Sequence, residues 1–279
     1  MRWYQGVALL LAINWCYTVE AEQWSLNSIK PKVDPVGGRI IGGYEVQPHA
    51  YPFAAALSID YGAYFCAGSL ISLNYVLTAA HCAVVMYTVD VILGAHNVKN
   101  ASEATQVTIT STDIIVNPAY NTTSYNNDIA LIKLPRPVSL NDAIQLAQLP
   151  SRTTRATNPD DVVVAIGWGL TEDVPIPSTQ YLSPVLKAVN VTVMTVEDCS
   201  YIYNDQINYV TDKNICTSGY KMKGTCDGDS GGPLVTRDGI LIGLTSFGDE
   251  LCEACNPSAY TDISKFLDWI EENSDVIIK

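Results

Sequence analysis

The stretch Gly224–Pro233, GTCDGDSGGP, sets one serine, Ser230, among four glycines and two acids. A serine hydroxyl is a poor nucleophile unless a neighbouring base takes its proton. Only three histidines are available for that: His49, His81 and His96. His81 stands in LTAAHC, between small alanines and Cys82, where a disulfide would pin the backbone; His49 follows Pro48 and His96 lies in GAHN, both in turn-like surroundings. A base of this kind needs a carboxylate to orient it, and Asp128 opens the otherwise apolar alternating run of NNDIALIKL. Taken singly, each residue has an ordinary structural role, as a core histidine, a turn-capping acid or a loop serine. Together, in the order His, Asp, Ser, they make up a nucleophile, a base and an orienting group, the set needed for acyl transfer.

The elements that must carry these residues are short. Val89–Leu93, Gln106–Val116, Asp128–Leu134, Val162–Ile166 and Leu186–Val193 have strand character and are separated by turn residues, which predicts an all-β sandwich or barrel. Pro233–Val235 and Ile240–Thr245 flank Arg237-Asp238-Gly239, a hairpin signal. Helical period is convincing only at the end, where Ile263, Phe266, Leu267 and Ile270 fall at i, i+3, i+4 and i+7.

Composition narrows the function. With 16% charged and 48% apolar residues among 279, the chain is globular. A net charge of -13 excludes the basic footprint of a nucleic-acid binder. The first residues start with Arg2, run apolar from Val7 to Ile13 and offer Val19 and Ala21 before a cut, which predicts a secretory signal peptide over residues 1–21. That run is shorter than the roughly 20 residues of a membrane span, so no membrane partner is expected. Residues 22–39 carry Pro31, Pro35, Gly37 and Gly38 and read as a linker or pro-segment. Secretion permits disulfides, and removing Cys16 with the signal peptide leaves seven cysteines, an odd number with one thiol over. The lone C-x-x-C at Cys252 and Cys255 has no histidine nearby, so no metal is expected. Asn100, Asn121 and Asn190 begin N-x-Ser/Thr sequons and are candidates for glycosylation.

From Ile40 to the last helix the chain resembles the chymotrypsin-fold, trypsin-like serine proteases, because IIGG, LTAAHC, NNDIALIKL, GWG and GDSGGP occur in that family's order. The resemblance implies two antiparallel six-stranded β-barrels, about 40–150 and 151–262, followed by a C-terminal α-helix. It implies catalysis by Ser230 as nucleophile, His81 as proton carrier and Asp128 as orienting group, with the N–H groups of Gly228 and Ser230 as the oxyanion hole. It implies a zymogen cut at Arg39-Ile40, whose new amine pairs with Asp229; activity should then fall at alkaline pH as that amine, with a pKa near 8, deprotonates. The bridges it implies are Cys66–Cys82, Cys199–Cys216 and Cys226–Cys252, which leaves Cys255 unpaired. No cofactor is implied.

The same resemblance places Gly224 at the base of the primary pocket, Ser246, Phe247 and Gly248 along its wall, and Ser258 opposite, with Ser246 also reaching toward Asp128. It is similar here to the brachyurin group of arthropod chymotrypsin-like and collagenolytic proteases, and a neutral base predicts cleavage after apolar residues. The acids Asp227, Asp249 and Glu250 near the entrance argue for some attraction of basic ones. Ala95 and Thr105 stand where trypsins bind calcium, so no calcium is expected and Glu103 reads as a solvated charge. Expected partners are protein substrates, an activating protease cutting after Arg39, and protein inhibitors, with the enzyme itself a monomer. The rival reading is an inactive protease homologue serving as a binding or regulatory module; such proteins usually lose one of the three residues, and this chain keeps them all.

Overall fold

The computed structural model describes residues 40–153, 157–174, 179–203, 209–249 and 251–278. The predicted signal and pro-segments, with Arg39, and also Glu250 lie outside the described residues. The first half of the chain contributes β1 (Tyr44–Glu45), β2 (Ala54–Ile59), β3 (Tyr64–Leu70), β4 (Tyr75–Thr78), β5 (Val89–Leu93), β6 (Val107–Ser111), β7 (Asp113–Val116) and β8 (Ala130–Lys133). The second contributes β9 (Val162–Gly167), β10 (Lys187–Met194), β11 (Asn214–Thr217), β12 (Pro233–Val235), β13 (Leu241–Phe247) and β14 (Ser258–Asp262). Three short α-helices, α1 (Ala80–Ala83), α2 (Val196–Ile202) and α3 (Leu267–Asn273), and two 3₁₀ turns, Thr179–Tyr181 and Ile263–Lys265, complete the described elements.

The strands form two antiparallel sheets. One runs β6-β5-β2-β3-β4-β8-β7, and its two edges are a single run of chain interrupted at Thr112. There Ser111 Oγ donates to the Lys133 carbonyl (2.6 Å) and accepts from the Asp113 N–H (3.1 Å). The bent run pairs first with β5 and then with β8, which curls the sheet on itself. The other sheet runs β1-β10-β11-β14-β13-β12-β9 and closes through a second pairing of β10 with β9. Taking β6 and β7 as one bent strand, and β1 as an addition clipped to β10, each barrel has the six strands that the resemblance implies.

The burial pattern explains why some strands alternate and others do not. In β10 the exposed Asn190 and Thr192 interrupt buried valines, as expected of a strand wet on one face. In β2 both faces are covered: Ala55, Leu57 and Ile59 point into the first barrel, and Ala54 and Ala56 into a cluster between the barrels. β9 does the same, with Val163 and Ala165 inside the second barrel and Val164 and Ile166 at the seam. The seam is therefore a third apolar core, and it holds the two barrels in the relation that the site requires.

The stretch with helical period at the end of the chain also buries its apolar face in the seam, as Ile263, Phe266, Leu267 and Ile270 all belong to that cluster. Its backbone is not one helix. Ile263–Lys265 form a 3₁₀ turn whose first amides are capped by Asp262, which accepts from Ser264 N–H, and α3 begins only after Phe266 at φ -126°.

Candidate active site

His81 is the second residue of α1, immediately beyond β4. The Cys66–Cys82 disulfide ties that turn to β3. Asp128, 1% exposed, lies just before β8. One carboxylate oxygen, Oδ1, accepts from the backbone N–H of His81 at 2.8 Å; the other, Oδ2, lies 2.8 Å from His81 Nδ1 and accepts from Ser246 Oγ of β13 at 2.5 Å. A buried acid held by three donors in this way fixes the hydrogen on Nδ1 and leaves Nε2 as the imidazole's basic nitrogen. The sulfurs of Cys66 and Cys82 beside His81 are spent in their disulfide, so this cluster offers no thiolate to a metal.

Ser230 comes from the turn before β12 and its carbonyl accepts from Ala67 N–H of β3 at 2.8 Å. The next residue, Gly231, has φ +73°, and a Cβ there would strike Thr78 Oγ1 and the Ala67 carbonyl. Glycine is what lets the turn lie against the end of β4, just ahead of His81. The amides of Asp229, Gly231 and Gly232 are all engaged by internal carbonyls, those of Cys226, Thr245 and Asp229. The amides of Gly228 and Ser230 have no internal acceptor among the described residues, which leaves two adjacent donors for an anionic oxygen.

Asp229 is fully buried. It accepts from Gly169 N–H (2.8 Å) and Cys226 N–H (3.0 Å), yet burial pushes its carboxyl up to about 7 against those two bonds. Gly167 and Gly169 of the GWG segment must be glycine because a Cβ at either would fall on the Asp229 carboxylate. Ile40 is fully buried in the core of this same barrel, with its carbonyl accepting from Gly43 N–H at 2.6 Å.

The pocket segments converge. Gly224 and Ser258 face one another so closely that a Cβ on Gly224 would lie 2.8 Å from Ser258 Oγ, which also accepts from Thr225 N–H. Cys226 is bonded to Cys252, and Gly248 is exposed with open space around its Cα. Phe247 sits among Tyr125, Tyr203 and Tyr209, with ring centres 5.7–6.1 Å away, and Tyr125 is edge-on to His81 at 5.9 Å.

The trypsin family model matches residues 40–270. The chain belongs to the trypsin family of serine proteases. It is 47% identical to brachyurin of Leptuca pugilator, across 85% of this chain and 99% of that one. It is 37% identical to a chymotrypsin of Phaedon cochleariae, across 88% and 86%. A solved HL collagenase structure superposes with a TM-score of 0.74 at 30% identity, covering 86% of this chain and all of that one. Membership of the trypsin family implies protein substrates.

Within this trypsin-family frame, two expectations need correction. Cys255, expected as a leftover thiol once residues 1–21 are removed, is disulfide-bonded in the full-length chain, where no described cysteine is free. Glu103, expected as a solvated charge, is half-buried and accepts from both His96 and Asn97 N–H at 3.0 Å, while Thr105 Oγ1 donates to the Gly94 carbonyl. Two amides turned inward need an acceptor, and the carboxylate supplies it from within the loop.

The other candidates fall where their surroundings explain them. Cys199 is bonded to Cys216. His49 occupies a turn at φ +63°, and His96 is buried with Nε2 3.0 Å from Glu45. Asn100, Asn121 and Asn190 are all exposed. Of the acids at the rim, Asp249 spends both oxygens on its own loop, on Leu251 N–H and the Asn256 amide. Asp227 is exposed but close to Asp173, and desolvation first, then that neighbour, raise its carboxyl above the usual range. Sequence reasoning missed the tyrosines around Phe247. Tyr125 reaches the cluster from a left-handed residue (φ +54°) in the first barrel, a position no periodicity marks.

Proposed function

We infer that this protein is a secreted serine endopeptidase, made as a zymogen with a signal peptide over 1–21 and a pro-segment over 22–39, and matured by cleavage at Arg39-Ile40. The observation that carries the reading is the buried Asp128 carboxylate, which holds both the backbone and the ring of His81 on the side of the molecule where the Ser230 turn packs against β3 and β4. In the reaction Ser230 Oγ attacks the scissile carbonyl and its proton passes to His81 Nε2. The carbonyl oxygen takes the negative charge and accepts from the amides of Gly228 and Ser230. His81 then gives the proton to the departing amine, leaving an ester on Ser230. Water, deprotonated by the same nitrogen, attacks that ester, and His81 passes the proton to the departing Ser230 Oγ, which releases the acid and restores the hydroxyl. Asp128 stays ionised throughout and stabilises the imidazolium.

The preferred residue before the scissile bond is apolar. Gly224 and Ser258 put no charge at the pocket base, the Phe247 and tyrosine cluster gives the acyl side an apolar wall, and Asp249 is committed to its own loop. Protein cleaved at Arg39-Ile40 should show its highest kcat/KM on matched peptides ending in Phe or Leu before the leaving group, with little turnover after Arg. Better cleavage after Arg would overturn the apolar preference. Failure of Ser230 to react with an organophosphonate would overturn the enzyme reading itself and leave an inactive binding module.

A further inference from the structure

The backbone carbonyl of Asp128 is buried with its residue and lies outside any ladder, since β8 starts only at Ala130, and no backbone amide among the described residues donates to it. Its partner comes from the other barrel: Thr261 Oγ1, on β14 and 2% exposed, donates to it at 2.7 Å. The second barrel thus grips Asp128 at both ends, at the carboxylate through Ser246 and at the carbonyl through Thr261. A third, exposed tie runs from Lys213 Nζ to Asn127 Oδ1 at 2.7 Å.

The chain needs these ties. Tyr125 and Asn127 both occupy left-handed backbone (φ +54° and +58°), and the Ile129 N–H turns back onto the Asn127 carbonyl at 2.9 Å. Side-chain-bearing residues hold such angles only where their surroundings over-determine them. Polar ties that fix the residue after the bend are that determination.

We propose that Thr261 is a positioning residue for the reaction: by holding the Asp128 carbonyl across the barrel seam it fixes the turn that aims the carboxylate at His81. This rests on the reading of His81 and Asp128 as catalytic partners. Thr261→Val keeps the shape and removes the donor, Thr261→Ser keeps the donor and removes a methyl, and Thr261→Cys keeps the size with a weak donor. Each is cleaved at Arg39-Ile40 and compared with the parent for kcat and KM on a Phe peptide, for the low-field proton resonance of the His81–Asp128 bond, and for thermal stability.

Thr261→Val should lose about tenfold in kcat with little change in KM, the scale of one lost buried hydrogen bond. Its low-field resonance should shift or broaden, while Thr261→Ser stays within about twofold of the parent with an unchanged resonance. A purely structural residue would lower the melting temperature and leave kcat and the resonance alone, and that result overturns the proposal. So does a serine variant as impaired as the valine one. Should Thr261→Val not fold, Thr261→Cys is scored by the same two readouts. If the parent itself turns over no peptide, the protease reading fails, and the proposal is still decided by the resonance.

Discussion

Gly224 shows how tightly a single position sets the pocket. Only Ser258 Oγ stands within contact of a Cβ built there, at 2.8 Å, so the base has room for a hydrogen and not for a methyl. Gly224→Ala should therefore raise the pocket floor and push Ser258 off its bond with Thr225 N–H. The expected result is a fall in kcat/KM of about tenfold on Phe peptides, within the 1 to 3 kcal/mol that one methylene of pocket space decides, and a smaller fall on Ala peptides. Gly248→Ala is the control. Its Cβ would meet nothing within 4 Å, so the fold should keep its stability to within about 0.5 kcal/mol. Matched peptide kinetics and a thermal melt separate the two; equal losses on Phe and Ala peptides in Gly224→Ala would mean that the residue acts on the oxyanion turn and not on pocket depth.

At the scale of elements, α3 illustrates the difference between burial and surface charge. Ile270 is fully buried in the seam, so Ile270→Ala should cost about 2 to 5 kcal/mol, measurable by denaturant unfolding. Arg152 ties the same helix from outside through Asp268 and Glu271, but at an exposed, solvent-screened site where Arg152→Ala should leave the unfolding midpoint nearly where it was. The helix is legible in the sequence because its apolar spacing is that of a helix; the break at Phe266 is not, because the 3₁₀ turn buries the same side chains. Strands β5 and β10 alternate and can be read. β2 cannot, because Ala54 and Ala56 face the seam while Ala55, Leu57 and Ile59 face the first barrel, which leaves four consecutive apolar residues from Ala54 to Leu57 with no alternation. A capping pattern, Thr195 with Asp198, marks the start of α2, where Thr195 accepts from Asp198 N–H, yet the pattern stands in no periodic apolar run. The site divides in the same way. The segments of His81, Asp128 and Ser230 are local patterns and can be read, whereas Thr261 and the tyrosines around Phe247 acquire their roles only when the barrels meet.

Across the whole molecule, the cut predicted 190 residues before Asp229 should reverse how stability depends on pH. In the uncut chain the buried Asp229 has no cation beside it among the described residues, and its carboxyl is held up at about 7 against an ordinary 3.8. An acid with a raised folded value contributes stability that is complete below its unfolded value and is lost as pH rises through the folded one. Uncut protein should therefore lose stability between about pH 4 and about pH 7, by up to about 1.4 kcal/mol per pH unit for this one proton. Cleavage at Arg39-Ile40 supplies an ammonium group, and its burial beside Asp229 favours the ionised carboxylate. The new amine gains a partner, so its folded value rises above the ordinary value of about 8. Its contribution is complete below that value and is lost only as pH climbs through the raised one. Melting curves of cut and uncut protein at pH 5, 7 and 9, with uncut Asp229→Asn as the reference without the titrating acid, should show the uncut chain falling from pH 5 to 7. Cut protein should hold across that interval and fall by pH 9, where activity falls with it. Parallel curves for the two forms would mean that the new amine never reaches Asp229, and activation would then have to work through some contact other than this ion pair.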